Sequence, residues 1–435
     1  MNNNAWTSLR EGYTEPVRDV LWGHIYLTPA LAALTKSVPF TRLTRIFQLG
    51  PAYTVYPGAT HTRASHSIGV YQLARRLLTN LAERGADAWL SAEGVKSFLC
   101  ACLLHDLGHF PYTHSLKELP LRSHESLTAS LILTEPLKTM IGRAGADPCL
   151  TAAIVDDAGG GGSRSGFSGG ELSFYQKLLS GCLDPDKLDY LNRDARYCGV
   201  PYGAQDVDFI FSRIYPHLER GIDIDSKGIP SVESILFSKY LMYRSVYWHR
   251  EVRSATAMIK KALLGGLADG IIKAEELYGL DDQGLFSLVA SRNYPLFSLV
   301  DRVRNGQLYA AVAEFPFDEA AHGGFEPIGE RRRYEADLAA ELSVKLGGPV
   351  QPGEIIIDVP EPVTFETGLY VTDEEAYFGG AAPECSSVFK AETVRDFAKI
   401  LRIVRIFVDP IHENKLKLSN RLVDILNIRY NKLTD

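Results

Sequence analysis

No CxxC pair occurs in the sequence, and its six cysteines, Cys100, Cys102, Cys149, Cys182, Cys198 and Cys385, are scattered. A zinc ribbon or a redox dithiol motif is therefore absent, and these thiols read as reduced residues of a cytoplasmic protein, Cys100 and Cys102 within an apolar run. No apolar run approaches the length that crosses a bilayer, so no membrane role is expected. The start, Met1-Asn-Asn-Asn-Ala-Trp6, lacks the basic-then-apolar order of a secretory leader. Positive charge is not in excess either. The 46 Lys and Arg are outnumbered by 53 Asp and Glu, a net charge of −7. Nucleic acid as a partner is thus not indicated, although charge balance says nothing against a local basic pocket. There is no internal repeat, and the glycine-rich stretch Ala158 to Gly170 lacks the GxxxxGK[ST] order of a phosphate loop. It reads as a flexible connection.

What is present is ordinary globular material, 46% hydrophobic and 23% charged over 435 residues. Apolar residues at helical spacing predict helices over 66–84, 91–107, 124–133, 150–155 and 171–183, and a long one over 231–268. Asp19 to His24 reads as the approach to a first helix, and Tyr53 to Tyr56 as a short strand or extended loop. Further helices follow to 342. From about residue 347 strands enter, at 354–359, 368–371, 387–389 and 406–408, around a helix at 393–404. The expected architecture is mainly α, a helical catalytic core over 1–345 followed by a small α+β subdomain over 346–435.

The chemistry concentrates where the apolar run Phe98 to Leu104 ends in His105-Asp106-Leu-Gly-His109-Phe-Pro-Tyr-Thr-His114. Buried imidazoles and carboxylates are costly unless paired, and a metal ion is the strongest pairing available. His66, opening a confident helix, and Asp186, opening a second polar cluster, are the natural partners of His105-Asp106. Two imidazoles and two carboxylates suit Mn, Fe, Mg or Zn with open positions, rather than a structural zinc. Arg63 and Lys187 lie beside these candidate ligands and fit a phosphorylated substrate. Tyr190 shares a helix face with Asp186. His109, His114 and the pair His124-Glu125 are candidates for proton transfer.

The order His66, His105-Asp106, Asp186 resembles the HD-domain metal-dependent phosphohydrolases. So do Gln48-Leu-Gly50, Tyr56-Pro-Gly-Ala-Thr-His-Thr-Arg63-Ala-Ser-His66, His124-Glu125 and Asp184-Pro-Asp186-Lys187-Leu-Asp-Tyr190. Within that superfamily the chain is similar to the deoxynucleoside-triphosphate triphosphohydrolases of the SAM-and-HD-domain type and their bacterial dGTPase-like relatives, without a SAM domain ahead of these motifs. His-Asp-Leu-Gly-His differs from the cyclic-di-GMP and alarmone branches. The resemblance implies an HD-domain helical core, with His66, His105, Asp106 and Asp186 as metal ligands. It implies that Arg63, Lys187 and Arg244 hold the triphosphate. Gln48 and Asp194 would bind the sugar 3′-hydroxyl, Leu49 and Tyr190 would exclude a 2′-hydroxyl, and His124, Glu125, His109 and His114 would assist catalysis. The implied reaction is attack of an activated water on the α-phosphorus of a dNTP, releasing deoxynucleoside and triphosphate, in a homo-oligomer. Where GTP-activated members read guanine this chain has Lys36, Thr41 and Thr44, so activation of that kind is not expected. The competing readings are a phosphodiesterase or nuclease acting on a cyclic nucleotide or single-stranded nucleic acid, and a non-catalytic nucleotide sensor.

Overall fold

The computed structural model describes residues 5–156, 169–379 and 383–417; most of the expected glycine-rich connection lies outside them. Its centre is the helix Ala92–Leu104, in which every residue from Phe98 to Leu104 is buried. A helix that is apolar all round belongs in the middle of a core. Ser91 starts it, its side chain accepting from Gly94 N. The helix Arg63–Glu83 packs on one side, burying Val70, Leu73, Ala74, Leu77, Leu78 and Leu81. It also packs against the helix Pro185–Cys198. The latter starts sharply because Asp184 caps Lys187 N and Pro185 occupies the first turn.

Three local expectations change. Asp19 to His24 belongs to an antiparallel hairpin of β1 (Glu15–Asp19) and β2 (Gly23–Leu27). The Asp19 carboxylate closes its turn by accepting from Leu21 N and Trp22 N. Residues 53–56 do not form a strand, because Gly50-Pro51 initiates a single 3-10 turn over Gly50–Thr54. The long helix expected over 231–268 is two helices, Ile229–Met242 and Arg250–Ala268, separated by a π-helical turn at Tyr243–Tyr247.

The remaining strands are β3 (Ile214–His217), β4 (Gly221–Ile224), β5 (Ala310–Pro316), β6 (Ile355–Asp358), β7 (Leu369–Val371), β8 (Ala376–Phe378) and β9 (Ile403–Val408). They form two sheets, in the orders β3-β4-β7-β8 and β5-β9-β6. The boundary expected at 345/346 therefore runs through both sheets. β7 pairs parallel with β4, and β9 pairs antiparallel with β5. Strands of three residues, such as β7 and β8, bury too little to stand alone and complete earlier ones. The strand expected at 387–389 is absent, and β8 takes its place in the sheet. Among the described residues no helix is long and apolar enough to cross a membrane.

Glu118 ties these layers together. It forms ion pairs with Lys260, on the Arg250–Ala268 helix, and with Arg331, on the helix Ile328–Leu346. Burial opposes its charge, but Arg331 and Lys260 hold its pKa at about 2. A carboxylate depressed on folding stabilises the protein fully above its unfolded value. That contribution, on the order of 2 kcal/mol, fades as pH falls from about 4.5 towards 2. Glu118→Gln should flatten the acid limb of a stability-versus-pH curve in that window and leave its shape above pH 6 unchanged.

Candidate metal centre and substrate cavity

The end of the buried Ala92–Leu104 helix brings His105 and Asp106 to one point in space. The start of the helix Arg63–Glu83 packed beside it, and that of the helix Pro185–Cys198 packed on the latter, bring His66 and Asp186 to the same point. His66 Nε2 lies 2.9 Å from Asp186 Oδ1, and His105 Nε2 lies 3.3 Å from Asp106 Oδ1 and 3.9 Å from Asp186 Oδ1. Ligand atoms of His66, His105 and Asp106 all fall within 4.8 Å of one another. The orientation of each ring is set from behind. His105 Nδ1 faces Cys102 O at 2.9 Å, and His66 Nδ1 faces Asp189 Oδ2 at 2.9 Å. Both Nε2 atoms are left pointing inward.

Three observations test whether a cation fits. His105 Nε2 is buried and has no hydrogen-bond partner, a costly state that a metal ion would relieve. Burial opposes protonation of His66, yet hydrogen bonds to Asp186 and Asp189 push its pKa up to about 10, so the surroundings call for positive charge. Burial likewise opposes the charge of Asp106, while His109, His105 and Arg63 hold it well below the usual carboxylate range. The donor set, two imidazole nitrogens and two carboxylates, suits a divalent ion with open positions.

The sequence reading assigned no role to the supporting tier. Asp189 orients His66 and is itself gripped by Arg193 through two bonds of 2.7 and 2.9 Å. Arg193 reaches Asp19 at 2.9 Å, and Trp22 Nε1 donates to Asp189 at 2.6 Å. The spacing carried a signal. Asp189 stands three residues after Asp186 and four before Arg193, so all three share a face. Such partners fix the tautomer and aim of a ligand histidine. Arg42 is buried and donates to the carbonyls of Leu107 and His109, pinning the His-Asp-Leu-Gly-His turn. Gly108 is required there. A Cβ would lie 2.1 Å from His124 O and 2.6 Å from Thr128 N. The turn can therefore dock on the helix His124–Ile132, where Thr128 Oγ1 donates to His105 O. That contact brings His124 to a ring separation of 4.0 Å from His109 and 5.2 Å from His114.

The four donors open into a cavity of about 670 Å³. Gln48, Leu49, Arg63, His114, His124, Glu125, Lys187, Tyr190 and Asp194 line it. His109 lies behind the wall, fully buried, with Nε2 at 3.1 Å from Asp106. Burial holds the His109 imidazole well below its ordinary pKa, whereas the His114 ring is exposed to the cavity. Arg63 Nη1 donates to Asp106 at 2.8 Å while its buried Nε has no partner. Both Asp194 oxygens are engaged, one by His61 at 2.8 Å and the other by Tyr247 at 2.7 Å. Arg244 is not part of the lining; its guanidinium donates to Tyr240 OH. The cation at that end of the cavity is Lys239, which sequence reasoning passed over, together with Tyr243 and Tyr247.

Comparison with known proteins adds the following. Residues 63–147 match the family described as HD domain, and residues 213–378 the one described as HD associated region. The chain is 30% identical over 365 residues to Uncharacterized protein MJ1154 of Methanocaldococcus jannaschii, covering 82% of this chain and 72% of that one. It is 28% identical over 384 residues to Deoxynucleoside triphosphate triphosphohydrolase SAMHD1 of Danio rerio, covering 80% and 58%. It spans only about half the length of other curated relatives, 49%, 51% and 55% in three bacterial cases. The crystal structure of a phosphohydrolase, BT4208, from Bacteroides thetaiotaomicron superposes with a TM-score of 0.70 at 23% identity, over 91% of this chain and 100% of that one. That likeness is one of fold.

Proposed function

The chain belongs to the HD-domain family of metal-dependent phosphohydrolases, and on that premise we propose that it hydrolyses deoxynucleoside triphosphates to deoxynucleoside and triphosphate. The observation that carries this is the cavity itself. His66, His105, Asp106 and Asp186 share one cavity with the cations Arg63, Lys187 and Lys239 and with Leu49, Tyr190 and Tyr247. Cations beside a metal centre suit a polyphosphate, and an apolar, aromatic stretch suits a sugar and base. The four donors would hold the divalent ion. When bound, such an ion polarises a phosphoryl oxygen and makes a water acidic enough to lose a proton near neutral pH.

The protein's own groups do the rest. Arg63 and Lys187 hold the phosphates in line for attack at the α-phosphorus. The bond from that phosphorus to the sugar 5′-oxygen breaks, and its electron pair stays on the oxygen, which takes a proton. His124, with Nδ1 at 3.2 Å from Glu125, stands with His114 to take the proton that the attacking water gives up and pass it to that oxygen. Gln48 Oε1, buried without a partner, accepts from the 3′-hydroxyl, next to Asp194, whose two oxygens His61 and Tyr247 hold in place. A 2′-hydroxyl pressed against Leu49 and Tyr190 would lose its water without gaining a partner, at a cost of about 1–3 kcal/mol. The similarity to the triphosphohydrolase of Danio rerio supports this substrate over others.

Incubation of the purified protein with Mn²⁺ and each dNTP, NTP and cyclic nucleotide tests the reading. Deoxynucleoside and inorganic triphosphate are the expected products, with dNTPs preferred over NTPs by at least about 10-fold, the equivalent of ~1.4 kcal/mol. Release of a monophosphate, opening of a cyclic nucleotide, or no turnover of any of them would overturn it.

A further inference from the structure

The connection from β6 to β7 passes along the cavity. Glu361, Thr364 and Glu366 are among its lining residues. The strap is anchored at several points. Arg402 donates to Pro360 O at 2.8 Å, Thr367 donates to Gly379 O at 2.9 Å, and Phe365 is buried with its ring 6.0 Å from that of Phe397. Between these anchors the Glu366 side chain turns onto two ammonium groups. Lys239 Nζ donates to Glu366 Oε2 at 3.0 Å, and Lys187 Nζ, which donates to the buried Asp184 Oδ2 at 2.7 Å and to Gly181 O at 3.0 Å, turns its remaining side to the same Glu366 oxygen at 3.5 Å. Lys239 also donates to Thr364 O at 2.7 Å.

Two ammonium groups converging on one anionic oxygen form a seat that fits a terminal phosphate oxygen as well as a carboxylate oxygen. Lys187 directly follows the metal donor Asp186 and sits in the first turn of the Pro185–Cys198 helix, whose dipole also favours an anion. The lysine side chains are only 12% and 6% exposed, whereas that of Glu366 is 38% exposed. The cations are thus fixed in the wall, and the carboxylate is the partner that solvent reaches. An ion pair with one exposed member is cheap to exchange for a better anion.

Resting on the reading of this cavity as a polyphosphate site, we propose that Glu366 is a built-in competitor for the substrate's phosphates. It occupies the Lys187–Lys239 seat until an incoming polyphosphate displaces it. The Glu366 side chain then acts as an autoinhibitory contact that swings off the lysines on binding, while the anchored β6–β7 backbone stays in place.

The test uses the full chain and inorganic triphosphate, by titration calorimetry. Glu366→Gln is expected to bind triphosphate about tenfold more tightly than the unaltered protein. Glu366→Asp, which keeps the charge on a shorter arm, should show a smaller gain and decides the matter if the glutamine variant fails to fold. Unchanged or weaker binding in the variant that folds overturns the proposal, because Glu366 would then only neutralise the lysines. The fate of the dNTP reading is separable. Tighter triphosphate binding in a protein that turns over no dNTP supports the contact and discards that substrate. Turnover of dNTPs with unaltered affinity in Glu366→Gln does the reverse.

Discussion

Asp186→Asn should lower metal-dependent turnover by about three orders of magnitude, roughly 4 kcal/mol of transition-state stabilisation, and leave the protein folded. Asparagine preserves the shape and can still meet His66, but it removes one of the two carboxylate charges offered to the ion. The Asp186 side chain is 38% exposed and Asp184, not Asp186, caps its helix, so the fold does not depend on its charge. Asp106 is a poorer choice for this test. It is buried against Arg63, and its loss would strand that guanidinium and confuse stability with activity. Metal content by elemental analysis and the rate at saturating Mn²⁺ are the measurements. A variant that keeps both full stoichiometry and full rate would remove Asp186 from the donor set.

Gly69→Ala should be the most destabilising single-methyl addition in the helical core. In an exposed helix interior the same change stabilises by about 1 kcal/mol, because glycine carries the larger entropic cost. Here a Cβ would sit 1.9 Å from Asp189 Oδ1 and 2.4 Å from Arg193 Nη2. Neither side chain has room to retreat, since Asp189 and Arg193 are completely buried and bonded to each other. Splitting a buried ion pair costs about 3–5 kcal/mol, which reverses the sign of the helix effect. A fall of roughly 3–5 °C in the thermal midpoint is expected for a chain of this length. Asp189 also aims His66, so metal affinity should weaken by about 10- to 100-fold in any fraction that folds. An unaltered midpoint would mean that the helices Arg63–Glu83 and Pro185–Cys198 are not packed as closely as described.

The two variants probe different parts of one device. Asp186 is offered to the ion, whereas Gly69 allows two helices to approach closely enough for Asp189 and Arg193 to hold His66 still. Arg42 does the corresponding work for the His105–His109 turn, through backbone carbonyls rather than side chains. A site that could hold a cation is built on such buried polar networks, with Asp189, Arg193 and Arg42 fully engaged behind it and His105 Nε2 left open towards it.

The sequence by itself determined the parts of this protein that depend on near neighbours. His105-Asp106 at the end of an apolar helix, His66 at a helix start, and Asp186 after the Asp184-Pro185 cap were legible because capping, periodicity and burial act within a few residues. So were the main helices, whose apolar spacing is local. The tertiary structure decided the rest. Arg244, assigned only through the family resemblance, falls in a π-helical turn at Tyr243–Tyr247 and donates to Tyr240, and Lys239, on the helix before it, lines the cavity instead. Both sheets join strands from before and after residue 345, since short strands take whatever edge the packed helices leave beside them. Glu366 meets Lys187 and Lys239 across 179 and 127 positions, from a strap with no periodicity to read. Hydrogen-bond and charge partners of an irregular segment are chosen by proximity after folding, and proximity over such distances is a property of the packed chain.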